Sequence, residues 1–300
     1  MTLNKPSAFV LVGPTASGKS AVAQILAERT GTAIVSADSM NIYCGMDIGT
    51  AKPSPEERAR VKTFGIDLAD PTEPFSVGDW LNAVRPAFQS SETPPIVAGG
   101  TGLYVKCLLQ GLDDLPTADV ALRERTEKMT LAELQAEART AAPEAYEALA
   151  DKENPRRLIR LLEGKKTSES WKSEMPTVIG LHVERDDLHR RIAERVGKMY
   201  AGGLLEEARG LMELKLSSTA QHAIGYAEAF AVLRGEMAVA EAKEKTVIRT
   251  RQLSKRQMTW FRHQLNVEWV KTADYPDEKS LADKVAGVWE KGGAVPVKGV

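Results

Sequence analysis

Residues 13–20 read Gly13-Pro14-Thr15-Ala16-Ser17-Gly18-Lys19-Ser20, a G-x-x-x-x-G-K-S string complete at every fixed position. Two glycines let the backbone fold back until successive N–H groups face one anion. Lys19 then reaches outer phosphate oxygens, and the Ser20 hydroxyl is placed to hold Mg²⁺. A helix opening at the end of the loop adds the positive end of its dipole. The sequence therefore predicts a diphosphate or polyphosphate held by Gly13, Thr15, Ala16, Ser17, Gly18, Lys19 and Ser20. The loop alone does not say which compound carries the phosphates.

Two further groups have the types and places to do chemistry. Asp38 follows a second short apolar run, and Thr101 lies in Gly99-Gly100-Thr101-Gly102 after a third. A carboxylate in that position can act as a base, cap a turn or ligate Mg²⁺, and spacing leaves all three open. A hydroxyl such as that of Thr101 more often bonds to the backbone of its own turn. A kinase built on such a loop places an Asp for Mg²⁺ at a neighbouring strand end. Here the third strand ends in Gly99-Gly100-Thr101 with no carboxylate, so phosphoryl transfer is not required. Cys44 and Cys107 are far apart and have no metal-ligand spacing, which reads as two free thiols.

The elements that must position these groups alternate between strand and helix. Residues 7–12 (SAFVLV), 33–37 and 95–98 are short apolar runs suited to buried parallel strands. Residues 19–29 carry Val22, Ile25 and Leu26 on one helical face. Strands separated by helices imply a parallel sheet with right-handed crossovers, and ligands collect at the carboxyl ends of its strands. The loop, Asp38 and Thr101 all fall at such ends. After Leu112 no clear strand appears until residues 178–183. Thr130 to Glu133 is a capping box, and Pro143 and Pro155 mark helix starts. A helix over 186–200 stops at Gly202-Gly203, a long helix fills 236–264, an edge strand follows at 266–270, and a last helix carries Leu281, Val285 and Trp289. The expected organisation is an α/β core at 1–112, a helical insertion at 113–176 and the rest of the core at 177–300. Its fold class is a parallel sheet of the P-loop NTPase kind flanked by helices.

The 300 residues are 43% hydrophobic and 27% charged, with a formal net charge of −1, so the whole molecule is not a polycation. Any nucleic-acid surface must come from local clustering. Two clusters stand out: Arg156, Arg157, Arg160, Lys165 and Lys166, and the long helix, where Lys255, Arg256 and Arg262 flank Trp260 and Phe261. Cations beside aromatic rings suit a phosphate backbone and unstacked bases. A solvated helix face with both rings in the core is the plain alternative. No run approaches the ~18 apolar residues of a membrane span. The first apolar run, ending at Gly13-Pro14, is too short for a signal peptide. A cytosolic monomer is expected.

At this point several blocks together resemble one family, the tRNA dimethylallyltransferases (tRNA isopentenyltransferases). They are GPTASGKS at 13–20, DSMNIYCGMDIGTAKP at 38–53, GGTGLY at 99–104, Ile224-Gly225-Tyr226 and RQLSKRQMTWFR at 251–262. The first is shared with many kinases, whereas the second is specific. The resemblance implies transfer of a five-carbon prenyl group from dimethylallyl diphosphate to N6 of an adenine next to the anticodon of tRNA. The phosphate loop would then grip the donor's diphosphate, with Mg²⁺ at Ser20, Asp38 as the base and Thr101 beside the reacting groups. It also implies contacts to the anticodon stem-loop from Asp38, Ser39, Met40, Asn41, Arg123, Glu153, Asn154, Pro155, Arg156, Arg157, Gln221, His222, Gly225, Tyr226, Lys255, Arg256, Gln257, Trp260 and Arg262. The chain departs from the family at Asn41, where Gln is usual, at His222, where Arg or Gln is common, and at Ala227, where Lys or Arg is common. It also lacks a His often found near Thr63-Phe64. Prenylation of free adenine nucleotides, a small-molecule kinase and a non-catalytic RNA binder remain the competing readings.

Overall fold

The structure is a computed structural model describing residues 5–89, 93–112, 120–126, 128–149, 151–164 and 175–300, without the side chains of Val120, Arg123, Glu124 and Arg156. It divides into two compact units, residues 1–111 with 175–300, and residues 112–174.

The larger unit is built on a seven-stranded sheet of order β3-β2-β4-β1-β5-β6, with β7 beside β1. The strands are β1 Ser7–Val12, β2 Ile34–Ser36, β3 Thr63–Phe64, β4 Ile96–Gly99, β5 Thr177–His182, β6 Asn266–Lys271 and β7 Val295–Pro296. Six run parallel, and only β7 is antiparallel. β1 shares one edge between two partners: Ser7 and Ala8 pair with β7, while Leu11 and Val12 pair with β5. The helices that matter for the site are α1 Lys19–Thr30, α2 Gly102–Gln110, α3 Arg185–Ala201, α4 Leu204–Leu211, α5 Tyr226–Leu233, α6 Val239–Gln264 and α7 Glu278–Gly292.

Each face of the sheet is sealed by helices whose apolar stripes the sequence spells out. Val22 and Leu26 of α1 meet Val285 and Trp289 of α7 over Ile179, Leu181 and Val270. The Trp289 ring lies 5.1 Å from that of Phe9. Near α2, the Trp80 ring stacks on Tyr104 at 4.7 Å and its indole N–H donates to the Ser36 carbonyl at 3.0 Å. That bond ties the end of β2 to the core. Burying one such side chain contributes about 1.5–3 kcal/mol.

The smaller unit is helical: Val120–Thr126, Leu131–Ala141, Pro143–Glu147 and Pro155–Leu162. Thr130 caps the second of these, with its side chain bonded to the Glu133 N–H and the Glu133 carboxylate bonded back to Thr130. Leu134, Ala138, Tyr146, Leu149, Leu158 and Leu161 form its own core. Arg139 and Lys152 both stand over the Tyr146 ring, 5.2 and 5.0 Å from its centre.

Candidate active site

Parallel register sets the strand ends level. Val12 pairs with Gly99 and Ser36 with Ala98, so the segments that follow β1, β2 and β4 leave the sheet side by side. Gly99 is obligatory there, because a Cβ would stand 2.1 Å from the Ala37 carbonyl oxygen. Just beyond, the Thr101 N–H donates to Ala37 O at 3.0 Å. The Thr101 hydroxyl accepts from the Ser39 N–H at 2.9 Å and donates to the Ser39 Oγ at 3.2 Å. The Thr101 hydroxyl therefore bonds not within its own turn but across to Ser39, 62 residues earlier, and so fixes the segment that carries Asp38. Asp38 is half-buried, and its Oδ1 accepts from the Met40 N–H at 3.0 Å. One carboxylate oxygen thus caps the turn, and Oδ2 has no hydrogen-bond partner among the described residues.

The phosphate loop has the backbone its sequence demands. Ala16 and Gly18 take φ values of 67° and 89°, which turn the local N–H groups inward. Gly13 has no room for a side chain, since a Cβ would lie 2.7 Å from Ser17 Oγ. Ser17 is fully buried and its hydroxyl has no partner among the described residues. Such a group is a costly orphan unless a ligand reaches it. Lys19 is 9% exposed, and among the described residues its Nζ donates only to the Pro14 carbonyl, at 3.3 Å. Burial pulls the Lys19 ammonium down from 10.5 to about 8, with Asp38 opposing the shift and Arg195 adding to it. Ser20 is exposed at the first turn of α1. Ala16, Ser17, Gly18, Lys19 and Ser20 line a cavity of about 940 Å³ together with Ser36, Asn41, Ile48, Arg191 and Arg195.

Arg195 is a residue that sequence reasoning missed. It stands in α3, whose charged positions carry no motif, and only folding brings it to the loop. Its Nη2 donates to the Thr50 carbonyl at 3.1 Å. Burial lowers its guanidinium from the ordinary value and Asp38 acts against that, yet a guanidinium keeps its proton in proteins. Lys19 and Arg195 thus place two cations in one cavity with the Asp38 carboxylate within electrostatic reach of both.

The residues proposed to face RNA divide into outward and inward groups. Lys255, Arg256 and Arg262 are exposed along α6, as are Gln221 and His222. The His222 Nδ1 is hydrogen-bonded to the Ser218 carbonyl at 2.8 Å, a structural bond. Ser39, Met40 and Asn41 are half-buried beside Asp38, and Asn41 Nδ2 donates to Ser36 Oγ at 3.2 Å. Gln257 faces inward: its Oε1 accepts from the Thr15 N–H at 2.8 Å and its Nε2 donates to the Gly100 carbonyl at 3.0 Å. Trp260 packs against Gly102, where a Cβ would lie 2.0 Å from the indole Cε3, and Phe261 is fully buried. Tyr226 requires a correction. It is 0% exposed, with its hydroxyl held by Glu207 and Gly49, and Gly225 beside it is buried too. Tyr226 shapes the fold here and presents no surface to a nucleic acid. In the smaller unit Glu153, Pro155 and Arg157 are exposed or partly so, and Asn154 is half-buried. The side chains of Arg123 and Arg156, and all of Lys165 and Lys166, lie outside the described residues. Among the described residues no cluster of three His, Cys, Asp or Glu could hold a metal ion. No helix among them is long and apolar enough to cross a membrane.

Known proteins share this arrangement. A family model described as IPP transferase matches residues 41–264, and one described as isopentenyl transferase matches residues 6–67. The tRNA dimethylallyltransferase of Geobacter sulfurreducens is 40% identical over 305 residues, covering 95% of this chain and 98% of that protein. The crystal structure of the full-length tRNA isopentenylpyrophosphate transferase from Bacillus halodurans is 34% identical with a TM-score of 0.69, covering 96% and 98% of the two chains. A eukaryotic dimethylallyltransferase acting on tRNA shares the fold at 21% identity, with a TM-score of 0.77, covering 97% of this chain and 80% of that one. With most of its length matched by one family model and its relatives aligned almost end to end, the chain belongs to the IPP transferase family.

Proposed function

We propose that this protein transfers the dimethylallyl group of dimethylallyl diphosphate to N6 of the adenine 3′-adjacent to the anticodon of tRNA, releasing diphosphate. The observation that carries the reading is a complete phosphate loop beside a β4 end, Gly99-Gly100-Thr101, that lacks a carboxylate, while the carboxylate present, Asp38, follows β2. That pattern suits displacement of a diphosphate by a nucleophile that must shed a proton.

The adenine amine is a weak nucleophile because its lone pair is delocalised into the ring. As it bonds to the allylic carbon, the carbon–oxygen bond breaks and its electrons leave with the diphosphate. Negative charge on the leaving group is met by the loop N–H groups, the Ser17 hydroxyl, Lys19 and Arg195. Preorganised donors of this kind contribute about 10²–10³ in rate each. The N6 proton passes to Asp38, whose Oδ2 is not engaged in the turn. The target base sits in an RNA loop and must swing out of its stack to reach that oxygen.

Mg²⁺ fits this site as an ion shared with the diphosphate. Ser20, at the start of α1, would offer its hydroxyl to the ion, a hard oxygen donor of the kind Mg²⁺ takes beside phosphate oxygens. When bound, it would neutralise charge on the leaving group. The anticodon stem-loop is assigned to the exposed face of α6 with Lys255, Arg256 and Arg262, to Gln221 and His222, and to Arg123 and residues 153–157 of the insertion. Ser39, Met40 and Asn41 border the reacting base, with Trp260 near it. We place the activity in the cytoplasm, with the chain acting as a monomer.

Incubation with labelled dimethylallyl diphosphate and unmodified tRNA, followed by nucleoside analysis, tests the reading. Label in a prenylated adenosine, with diphosphate released and no need for ATP, is the expected result. Label on AMP but not on tRNA, or ADP released from ATP, rejects it.

A further inference from the structure

Residues 47–49 present three successive backbone N–H groups, and all three converge on one carboxylate 158–160 residues away. The Asp47 N–H donates to Glu207 Oε2 at 2.9 Å. The Ile48 N–H reaches Oε2 at 2.9 Å and Oε1 at 3.1 Å, and the Gly49 N–H reaches Oε1 at 3.3 Å. Consecutive N–H groups of this kind form an anion seat, filled here by a side chain of the fold itself. The buried Tyr226 hydroxyl closes the arrangement: it donates to Glu207 Oε1 at 2.5 Å and accepts from the Gly49 N–H at 3.2 Å. Burial and the adjoining carboxylate raise its pKa, so the phenol keeps the proton it donates. Gly49 has no room for a side chain, since a Cβ would stand 2.2 Å from the Tyr226 Cε2.

The next residue links this clamp to the donor cavity. The Thr50 carbonyl accepts from Arg195, and Ile48 and Arg195 both line the cavity beside Lys19. We propose that Glu207 and Tyr226 are positioning residues for prenyl transfer: they hold the 47–50 turn where the Thr50 carbonyl aims the Arg195 guanidinium at the leaving diphosphate. This rests on the reading that the cavity takes a prenyl diphosphate. Neither residue touches donor or acceptor. Glu207 locks the turn from α4, and Tyr226 locks Glu207 from the start of α5. The alternative is that the clamp serves stability alone.

Tyr226→Phe removes one hydroxyl and keeps the ring. Glu207→Gln puts an amide donor against the N–H donors of the turn. For both variants the proposal expects KM for dimethylallyl diphosphate to rise about tenfold and kcat to fall about tenfold or more, with tRNA affinity unchanged. In an Arg195→Lys background, adding Tyr226→Phe should change donor KM and kcat less than twofold, because both substitutions act through one contact. Unchanged donor kinetics in Tyr226→Phe, or losses that multiply in the double variant, overturn the proposal. Titration with inorganic pyrophosphate separates the two readings. If the wild-type protein fails to prenylate tRNA, the proposed function falls; if Tyr226→Phe then binds pyrophosphate as tightly as wild type, the clamp falls with it, and about tenfold weaker binding upholds the clamp.

Discussion

At the scale of single residues, Asp38 and Lys19 carry opposite charges for opposite tasks. Asp38 has a divided carboxylate, with one oxygen on the Met40 N–H and the other left for chemistry. Asp38→Asn keeps the cap oxygen and removes the basicity, so it separates the two roles that alanine would confuse. The expected outcome is a fall in kcat of about 10²–10⁴ with an unchanged melting temperature. An active Asp38→Asn would reduce Asp38 to a cap. Lys19 holds its proton below about 8 and loses it above. A diphosphate favours the protonated form, so donor affinity is greatest below that value and falls as the pH rises through it. Donor kcat/KM measured from about pH 7 to 9.5 should drop by up to tenfold per pH unit above about 8, and a flat profile would remove Lys19 from the site.

At the scale of elements, α6 does more than carry exposed cations. Through Gln257 it joins the phosphate loop to the end of β4, and through Trp260 it lies on the first residue of α2. Gln257→Glu keeps an acceptor for the Thr15 N–H, loses the bond to the Gly100 carbonyl and sets a negative charge beside the diphosphate. Donor KM should rise at least tenfold while tRNA affinity holds; unchanged donor kinetics would show that the brace is dispensable. The same helix shows what local sequence can and cannot express. The phosphate loop, its flanking strand and helix, the capped start of the Leu131–Ala141 helix and the β6 strand follow from periodicity and capping chemistry within about 15 residues. Five of the seven strands were legible too, because strand, loop and helix alternate, whereas β3 and β7, of two residues each, are too short to show a period. The roles of Arg195, Glu207 and Gln257 were not. Gln257 bonds to a loop 242 residues earlier and Glu207 to a turn about 160 residues earlier, and no spacing within α3, α4 or α6 records those partners. The RNA contact at Tyr226 was implied by the resemblance alone, and local sequence could not show that packing against Glu207 and Gly49 turns the side chain inward.

At the scale of the whole molecule, a net charge of −1 gives no general attraction for a polyanion. Screening confines any pull to about 8 Å at physiological ionic strength, so RNA affinity must arise where cations are locally unbalanced. The exposed face of α6 is such a place, because Lys255, Arg256 and Arg262 recur there at helical spacing while Gln257 and Phe261 point inward. On the proposed function one helix would serve two partners, and a substitution among its exposed cations should spare the brace. Arg256→Ala tests this separation. Its tRNA dissociation constant should rise, and the log–log dependence of affinity on salt should flatten by about 0.7–0.9, because one RNA phosphate then goes without its cation. Donor KM should not change, since the Arg256 side chain is exposed whereas Gln257 beside it turns inward to the Thr15–Gly100 brace. An unaltered salt slope would take Arg256 off the RNA, whereas a raised donor KM would mean that the two faces of α6 are not mechanically independent.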